Sequence, residues 1–207
     1  ILRGGEYVVC EKTDGERHMM VAITFEGKPR CLLVNRAFDM IEIKINLNKK
    51  AYEGTILDGE LYDTTLMVYD ALLIHGVPVG HLNLYQRLAE AEKMLKCIIY
   101  MKFDVYRLKL KTFYAFKDFE HFMDVYLPTV QQNVDGIVLT PIYEPVRIGT
   151  HETMFKWKPG EKNTVDLQMK RGTRFEGVGK PGAPVWKLYV QEKGKLFYET
   201  EFPLSRM

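Results

Sequence analysis

The 207-residue sequence predicts an α+β fold. Three features lead there: short apolar runs parted by turn residues over the first third, a change to helical period near residue 83, and a return to strand-like runs afterwards. Residues 7–10, 18–25, 31–34 and 40–45 read as strands of an antiparallel meander, punctuated by Asp14-Gly15, Gly27-Lys28-Pro29 and Phe38-Asp39. Residues 55–61 and 66–74 add two more strands. Leu84, Leu88, Ala91 and Leu95 then share one helical face, with Asn83 as N-cap and Gln86 placed to complete a capping box. Asp118 is expected to cap a second helix that carries Phe119, Phe122, Met123 and Tyr126 and stops at Pro128. Strands follow at 136–140, 154–158, 164–169, 185–191 and 195–202, and the Gly- and Pro-rich segment 171–184 reads as a long connection into a second small β module.

With 46% hydrophobic and 27% charged residues, the composition excludes a disordered tail, a collagen-like rod and a disulfide scaffold. The net charge of +2 gives no sign of a polyanionic partner, but it averages a polarised chain. Residues 96–117 hold six basic side chains against one acidic, and residues 156–195 hold ten against four. Two such stretches suit triphosphate and RNA. The longest apolar runs fall short of the roughly 20 residues that span a bilayer, so no membrane partner is expected. Cys10, Cys31 and Cys97 read as reduced core thiols in a reducing compartment, the cytoplasm, with the nucleus as the alternative. The chain begins at Ile1 with no signal-peptide pattern and is expected to belong to a longer polypeptide.

Several patterns are decoys. Gly177-Val178-Gly179-Lys180-Pro181-Gly182 fits G-x-G-x-x-G, but Pro181 and Pro184 oppose the helix that a dinucleotide site needs. No P-loop string is present, the five histidines lack metal spacing, and the single serine leaves no serine-nucleophile site.

Four strings carry chemistry. Lys12-Thr13-Asp14-Gly15-Glu16-Arg17 puts an amine beside a tight turn where glycine admits a bulky anion, although Asp-Gly is also a common hairpin tip. Asp58-Gly59-Glu60-Leu61 and Asp135-Gly136-Ile137-Val138 are strands broken by an acidic residue and glycine. Phe155-Lys156-Trp157-Lys158-Pro159 sets two lysines on one side of a strand by alternation. Each string alone has a dull explanation; the four in this order do not.

Together these strings resemble the covalent nucleotidyltransferase superfamily of ATP-dependent DNA and RNA ligases and mRNA capping guanylyltransferases. The match runs through Kx(D)GxR at Lys12 to Arg17, a third motif at Leu33-Val34-Asn35-Arg36, DGEL at Asp58 to Leu61 and an aromatic-Asp strand at Val68-Tyr69-Asp70. It continues through DG(I/L)V at Asp135 to Val138 and KxK at Lys156 to Lys158, covering roughly residues 7–170. Lys-Trp-Lys-Pro followed by Asn163-Thr164-Val165-Asp166 resembles the capping branch, with the flavour of enzymes from large cytoplasmic DNA viruses. Asn35 replaces an acidic residue, and no sixth, R-x-D-K-like motif is found.

The resemblance implies a nucleotidyltransferase core of ATP-grasp-like antiparallel sheets with flanking helices over residues 1–170, and a linker with a partial OB-type β module over 171–207. It implies Lys12 as nucleophile, its amine kept neutral by neighbouring cations, with Lys156 and Lys158 neutralising the α-phosphate. Arg17, Arg36 and Glu60 are expected on ribose and phosphate, and Tyr69 stacked on the base with Ile137 or Val138 closing its other face. Lys111 is expected at guanine O6, Asp166 among the nucleotide-binding residues, and Asp135 with Glu60 as ligands of Mg²⁺ or Mn²⁺. The implied reaction makes a lysine-linked GMP from GTP and passes it to a 5′-diphosphate RNA end, with triphosphatase and methyltransferase domains flanking the chain. A polynucleotide ligase adenylation domain and a non-catalytic RNA-end binding module remain as alternatives.

Overall fold

A computed structural model describes residues 6–162, 166–174 and 182–204. The chain divides into two compact units, residues 1–159 and 160–207. In the first unit the strands are β1 (Tyr7–Thr13), β2 (Glu16–Phe25), β3 (Lys28–Asn35), β4 (Met40–Glu42), β5 (Thr55–Tyr62), β6 (Thr65–Ile74) and β7 (Val77–Pro78). The helix α1 (Leu84–Lys96) comes next, then β8 (Arg107–Leu110), β9 (Tyr114–Ala115), β10 (Val134–Pro141) and β11 (Phe155–Trp157). The described strands form a four-stranded sheet ordered β11-β10-β1-β9 and a seven-stranded sheet ordered β4-β3-β2-β5-β6-β7, with β8 parallel to β6.

This arrangement corrects the expected meander. β2, β3 and β4 do run antiparallel in sequence, but β1 pairs with β10 and β9 in the other sheet. Asp14-Gly15 is therefore the crossing between two sheets and not a hairpin tip. Asp14 N–H donates to Asn133 O at 2.9 Å, and a Cβ on Gly15 would lie 2.7 Å from Leu61 O, so only glycine lets the crossing pass the end of β5.

The helix α1 begins where the sequence places it, with the Asn83–Gln86 capping box formed. It packs against both sheets: Ala91 and Met94 join the large-sheet core with Met20, Leu57 and Val68, while Leu84 and Leu88 meet Val8 and Ile142 of the small-sheet region. The expected second helix is instead a succession of short helical turns at Phe116–Asp118, Phe119–His121, Phe122–Tyr126 and Leu127–Thr129. Asp118 makes no side-chain cap, and Pro128 sits inside the last turn, near whose start its missing N–H is not required. Phe122 from these turns is fully buried against Val9 and Ile137, sealing one face of the small sheet.

Shorter strands at β7, β8 and β9 escape the sequence patterns because two to four residues give no period to read. In the run 40–45 the strand covers only Met40–Glu42, with one more backbone bond from Ile43 N–H to Cys31 O, and Cys97 is exposed rather than a core thiol, whereas Cys10 and Cys31 are buried.

The second unit is a three-stranded antiparallel sheet of β12 (Gln168–Thr173), β13 (Pro184–Glu192) and β14 (Lys195–Pro203). Its first strand occupies 171–173, part of the expected connection; residues 163–165 and 175–181, including most of the G-x-G-x-x-G string, lie outside the described residues. No described helix is long and apolar enough to cross a membrane.

Candidate active site

Lys12 lies near the end of β1, where Lys12 pairs with Gly136 and Thr13 with Val134. That bulge leaves Asp135 as an extra residue on β10 and re-aims its side chain. The result is a bidentate contact: Lys12 Nζ donates to Asp135 Oδ1 at 2.9 Å and Oδ2 at 3.0 Å. Lys158, one residue past β11, reaches Asp135 Oδ2 at 2.6 Å. Gly136 is obligatory beside them, because a Cβ there would collide with the Trp157 carbonyl oxygen of β11.

The immediate partner of Lys12 is thus an anion, where sequence reasoning expected cations. Burial tends to raise the Asp135 carboxyl, but hydrogen bonds and charge from Lys158 and Lys12 outweigh it and hold the group below the usual aspartate value. A depressed carboxyl contributes stability that is complete above the unfolded pKa, about 3.9, and is lost as pH falls through the folded value. Asp135→Asn is therefore expected to flatten the acid limb of unfolding free energy against pH below about pH 4, read by urea titrations at stepped pH.

The cations gather as alternation predicts. Lys156 pairs with Val138, and Cys10 with Val138, so Lys12, Val138, Lys156 and Lys158 share one face of the small sheet. Partial desolvation, then the charges of Arg36, Lys12 and Arg17, push the Lys156 ammonium below the ordinary lysine value, against the opposing pull of Glu60. No ion pair to a carboxylate occurs at Lys156 or Arg36 among the described residues. Arg36 is exposed in the turn after β3. Asn35 builds that turn: its Oδ1 accepts from Ala37 N and Asp39 N, both at 2.9 Å, while its Nδ2 donates to Glu16 Oε1 and Asp39 Oδ2, both at 3.0 Å, donations that no ionised acid could make.

From the large sheet, Arg17 of β2 forms a fork with Asp58 of β5, Nε to Oδ1 at 2.9 Å and Nη2 to Oδ2 at 2.6 Å. A register shift leaves Tyr69 as an extra residue on β6, and its hydroxyl donates to Asp58 Oδ1 at 2.8 Å. Burial and the nearby Asp58 charge push the Tyr69 phenol well up, so it stays a donor. Asp58, one of the quoted DGEL residues but given no role by sequence reasoning, therefore aims both Arg17 and Tyr69. Asp58→Asn, which exchanges one acceptor for a donor, is expected to weaken nucleotide binding by about tenfold in titration calorimetry while the fold survives.

Two of the expected nucleotide residues are buried. Ile137 is 4% exposed and packed with Val9 and Phe122, so the aliphatic side chain on the Lys12 face is Val138. Lys111 is buried with Glu11, Thr13 and Glu60, its ammonium balanced by the two carboxylates. Glu11 and Thr13 were missed. Nothing local marks them, since by alternation a glutamate after Tyr7-Val8-Val9-Cys10 could equally face solvent. Asp166 is exposed ahead of β12 in the second unit.

No group of three or more Asp, Glu, His or Cys side chains suited to a metal occurs among the described residues. Both carboxylates expected at a metal have side-chain partners, Asp135 in Lys12 and Lys158 and Glu60 in Thr13 and Lys111, and a single carboxylate suffices for Mg²⁺ when phosphates and water supply the other ligands.

Residues 1–160 match the family model described as mRNA capping enzyme, catalytic domain. The chain belongs to that family. The capping-enzyme family domain is 25% identical over 197 residues to an mRNA-capping enzyme subunit alpha of Candida glabrata, covering 79% of this chain and 44% of the relative. It is 27% identical over 198 residues to the Schizosaccharomyces pombe subunit alpha, covering 82% and 49%, and 27% identical over 217 residues to an mRNA-capping enzyme of Danio rerio, covering 92% and 35%. The chain thus spans about half or less of the length of these relatives. Among solved structures it shares the nucleotidyltransferase fold of a mycobacterial DNA ligase D complexed with ATP and MES, with TM-score 0.52, 14% identity, and 99% of this chain and 68% of the other covered. A Lig E DNA ligase gives TM-score 0.50 at 17% identity, covering 95% and 78%.

Proposed function

We propose that this domain carries out the guanylyltransferase step of mRNA capping. The observation that carries the reading is the Lys12–Asp135–Lys158 cluster, with Lys156 on the same face, inside a chain of the capping-enzyme family. Lys12, having given up a proton to water, attacks the α-phosphorus of GTP. A nitrogen–phosphorus bond forms as the bond to the β-phosphate oxygen breaks, and pyrophosphate leaves. An oxygen of the 5′-diphosphate RNA end then attacks the same phosphorus and returns the amine.

Phosphoryl transfer asks chiefly for positioning and charge neutralisation. Lys156, the cation whose desolvation and like-charged neighbours favour an incoming anion, is the main α-phosphate ligand in this reading. Lys158 shields Asp135 from that phosphate, and Arg17 and Arg36 hold the ribose and phosphates. Tyr69 and Val138 flank the base. A divalent cation held by Asp135 would supply charge neutralisation on the phosphate oxygens. In this reading residues 171–207 extend the chain into an OB-like module, and further capping activities flank it in the parent protein.

Incubation of the full-length protein with labelled GTP or ATP and Mg²⁺ tests the reading. Acid-labile, alkali-stable label from GTP, chased by pyrophosphate or by diphosphate-ended RNA, is the expected result. Label from ATP alone would move the protein to the ligases, and tight RNA binding with no label would make it a binding module.

A further inference from the structure

We infer that Phe38, in the turn after β3, is a stacking platform for a base near the 5′ end of the acceptor RNA; the inference rests on the reading of this domain as a guanylyltransferase. The turn is tight and held by its first residue. Phe38 N–H donates to Asn35 O and Asn35 N–H to Asp39 O, both at 3.1 Å, while Asn35 Oδ1 accepts from the Ala37 and Asp39 N–H groups. Within the turn Phe38 has a φ of 65°, the left-handed region that bulky L side chains avoid. The other described non-glycine residues of positive φ are Glu26, Asp63, His75 and Lys193, so Phe38 alone combines that backbone with an apolar side chain. Its ring is 78% exposed, and burial therefore offsets neither the strain nor the hydrocarbon left in water. Strain that presents an aromatic ring to solvent marks a side chain held out for a ligand.

The strand register places this turn at the site. Asn35 pairs with His18, so the chain enters the turn level with Arg17. In the next row on the Arg17 face, Asp58 of β5 pairs with Met19 of β2, Met19 with Val34 of β3, and Val34 with Met40 of β4. Met19 and Val34 are partly exposed and Met40 is 63% exposed, which makes an apolar shelf from the Arg17–Asp58 fork to the open edge of the sheet at the turn. Arg36, exposed in the same turn, supplies positive charge. After desolvation, the Arg36 charge is the largest influence pushing the Lys156 ammonium below the ordinary lysine value, so the turn borders the lysines expected on the α-phosphate. The neighbouring acids are tied: Asp39 and Glu16 each accept from Asn35 Nδ2, and Glu42 is forked by Arg30. An aromatic plane and an apolar shelf beside cations fit a single strand whose phosphates lead to the lysines and whose bases lie outside them. Because the shelf starts at the site itself, it suits the acceptor better than a separate protein partner.

The test uses the full-length protein with Phe38→Gly, Phe38→Asn and Phe38→Tyr, the first two chosen because glycine and asparagine accept a positive φ. Preformed lysine–GMP adduct is mixed with 5′-diphosphate oligoribonucleotides, intact or with an abasic sugar at the first, second or third position. Transfer is followed beside adduct formation from GTP, GTP affinity and thermal unfolding. Phe38→Gly and Phe38→Asn are expected to lower kcat/KM for the intact acceptor by on the order of tenfold, while adduct formation stays within about twofold. The Phe38→Gly unfolding midpoint should be no lower than that of the wild type, and Phe38→Tyr should keep the wild-type transfer rate. In the wild-type protein one abasic position should cost a similar factor, and in Phe38→Gly that position should cost little more, because ring and base act as a pair. Should Phe38→Gly fail to fold, Phe38→Asn carries the same comparison. Wild-type transfer by the variants would overturn the proposal and leave the ring to a protein partner. So would losses that multiply when ring and base are both removed, or a loss confined to GTP affinity or adduct formation, which would assign the ring to guanine. Absence of adduct in the wild-type control would instead overturn the functional reading itself.

Discussion

Lys12→Ala is expected to abolish the covalent nucleotide adduct, a loss of about 10³-fold or more in single-turnover labelling. The size of the effect follows from the chemistry, since the adduct is a bond to the amine itself and no neighbouring amine takes its place. Lys158 is already hydrogen-bonded to Asp135, and Lys156 extends from β11 beside Val138, on a different strand from the bulge that sets Lys12. Lys158→Ala, which removes a charge but not the nucleophile, should slow labelling by only about 10²-fold. Both variants should unfold at nearly the wild-type temperature, because the Lys12 and Lys158 side chains are 21% and 34% exposed and each leaves Asp135 with one remaining partner. If Lys12→Ala still became labelled, peptide mapping of the adduct would identify the true nucleophile and the assignment would fall.

Arg87→Met is expected to destabilise the first unit by about 3–5 kcal/mol, the cost of breaking a buried ion pair, and to lower its unfolding midpoint by on the order of 10 °C. Arg87 leaves α1 and forms a fork on Asp70 of β6, Nε to Oδ1 at 2.6 Å and Nη2 to Oδ2 at 3.0 Å. Its Nη1 also donates to Leu82 O at 2.6 Å and to Glu144 O at 2.9 Å. Glu144 lies in the connection from β10 to β11, so the guanidinium joins the large sheet to the segment that delivers Lys156 and Lys158. Methionine fills similar volume but leaves the Asp70 carboxylate and two carbonyls without their partner. Adding Asp70→Asn to Arg87→Met should recover part of the loss, as the uncompensated charge is then gone. A loss below about 1 kcal/mol in denaturant titration would show that water substitutes for the guanidinium.

Much of the fold was legible where local chemistry decides. The capping box at Asn83 fixes the start of α1 whatever surrounds it, because both partners lie within one turn. Alternation put Lys156 and Lys158 on one side of a strand; the strand carries Lys156 and ends at Trp157, and Lys158 just beyond it reaches Asp135. Reading failed where two elements remote in sequence decide an outcome. Asp14-Gly15 looks like a hairpin tip, yet the strands on either side of it belong to different sheets, a choice made by β10 and β5 and not by the turn.

The candidate site divides in the same way. Sequence by itself determined the inventory: an amine before an Asp-Gly pair, a carboxylate before the glycine of β10, two lysines at and just past β11, and membership of a recognisable motif series. Tertiary structure decided the partners. Lys12 meets Asp135 across 123 residues, and Lys111 reaches Thr13 across 98. Alternation says which side chains share a face, but not which face stays open. The helical turns that bury Phe122 close the side bearing Glu11 and Ile137, leaving Lys12 and Val138 on the other, and that choice rests on packing between segments that carry no mark of it in their own sequence.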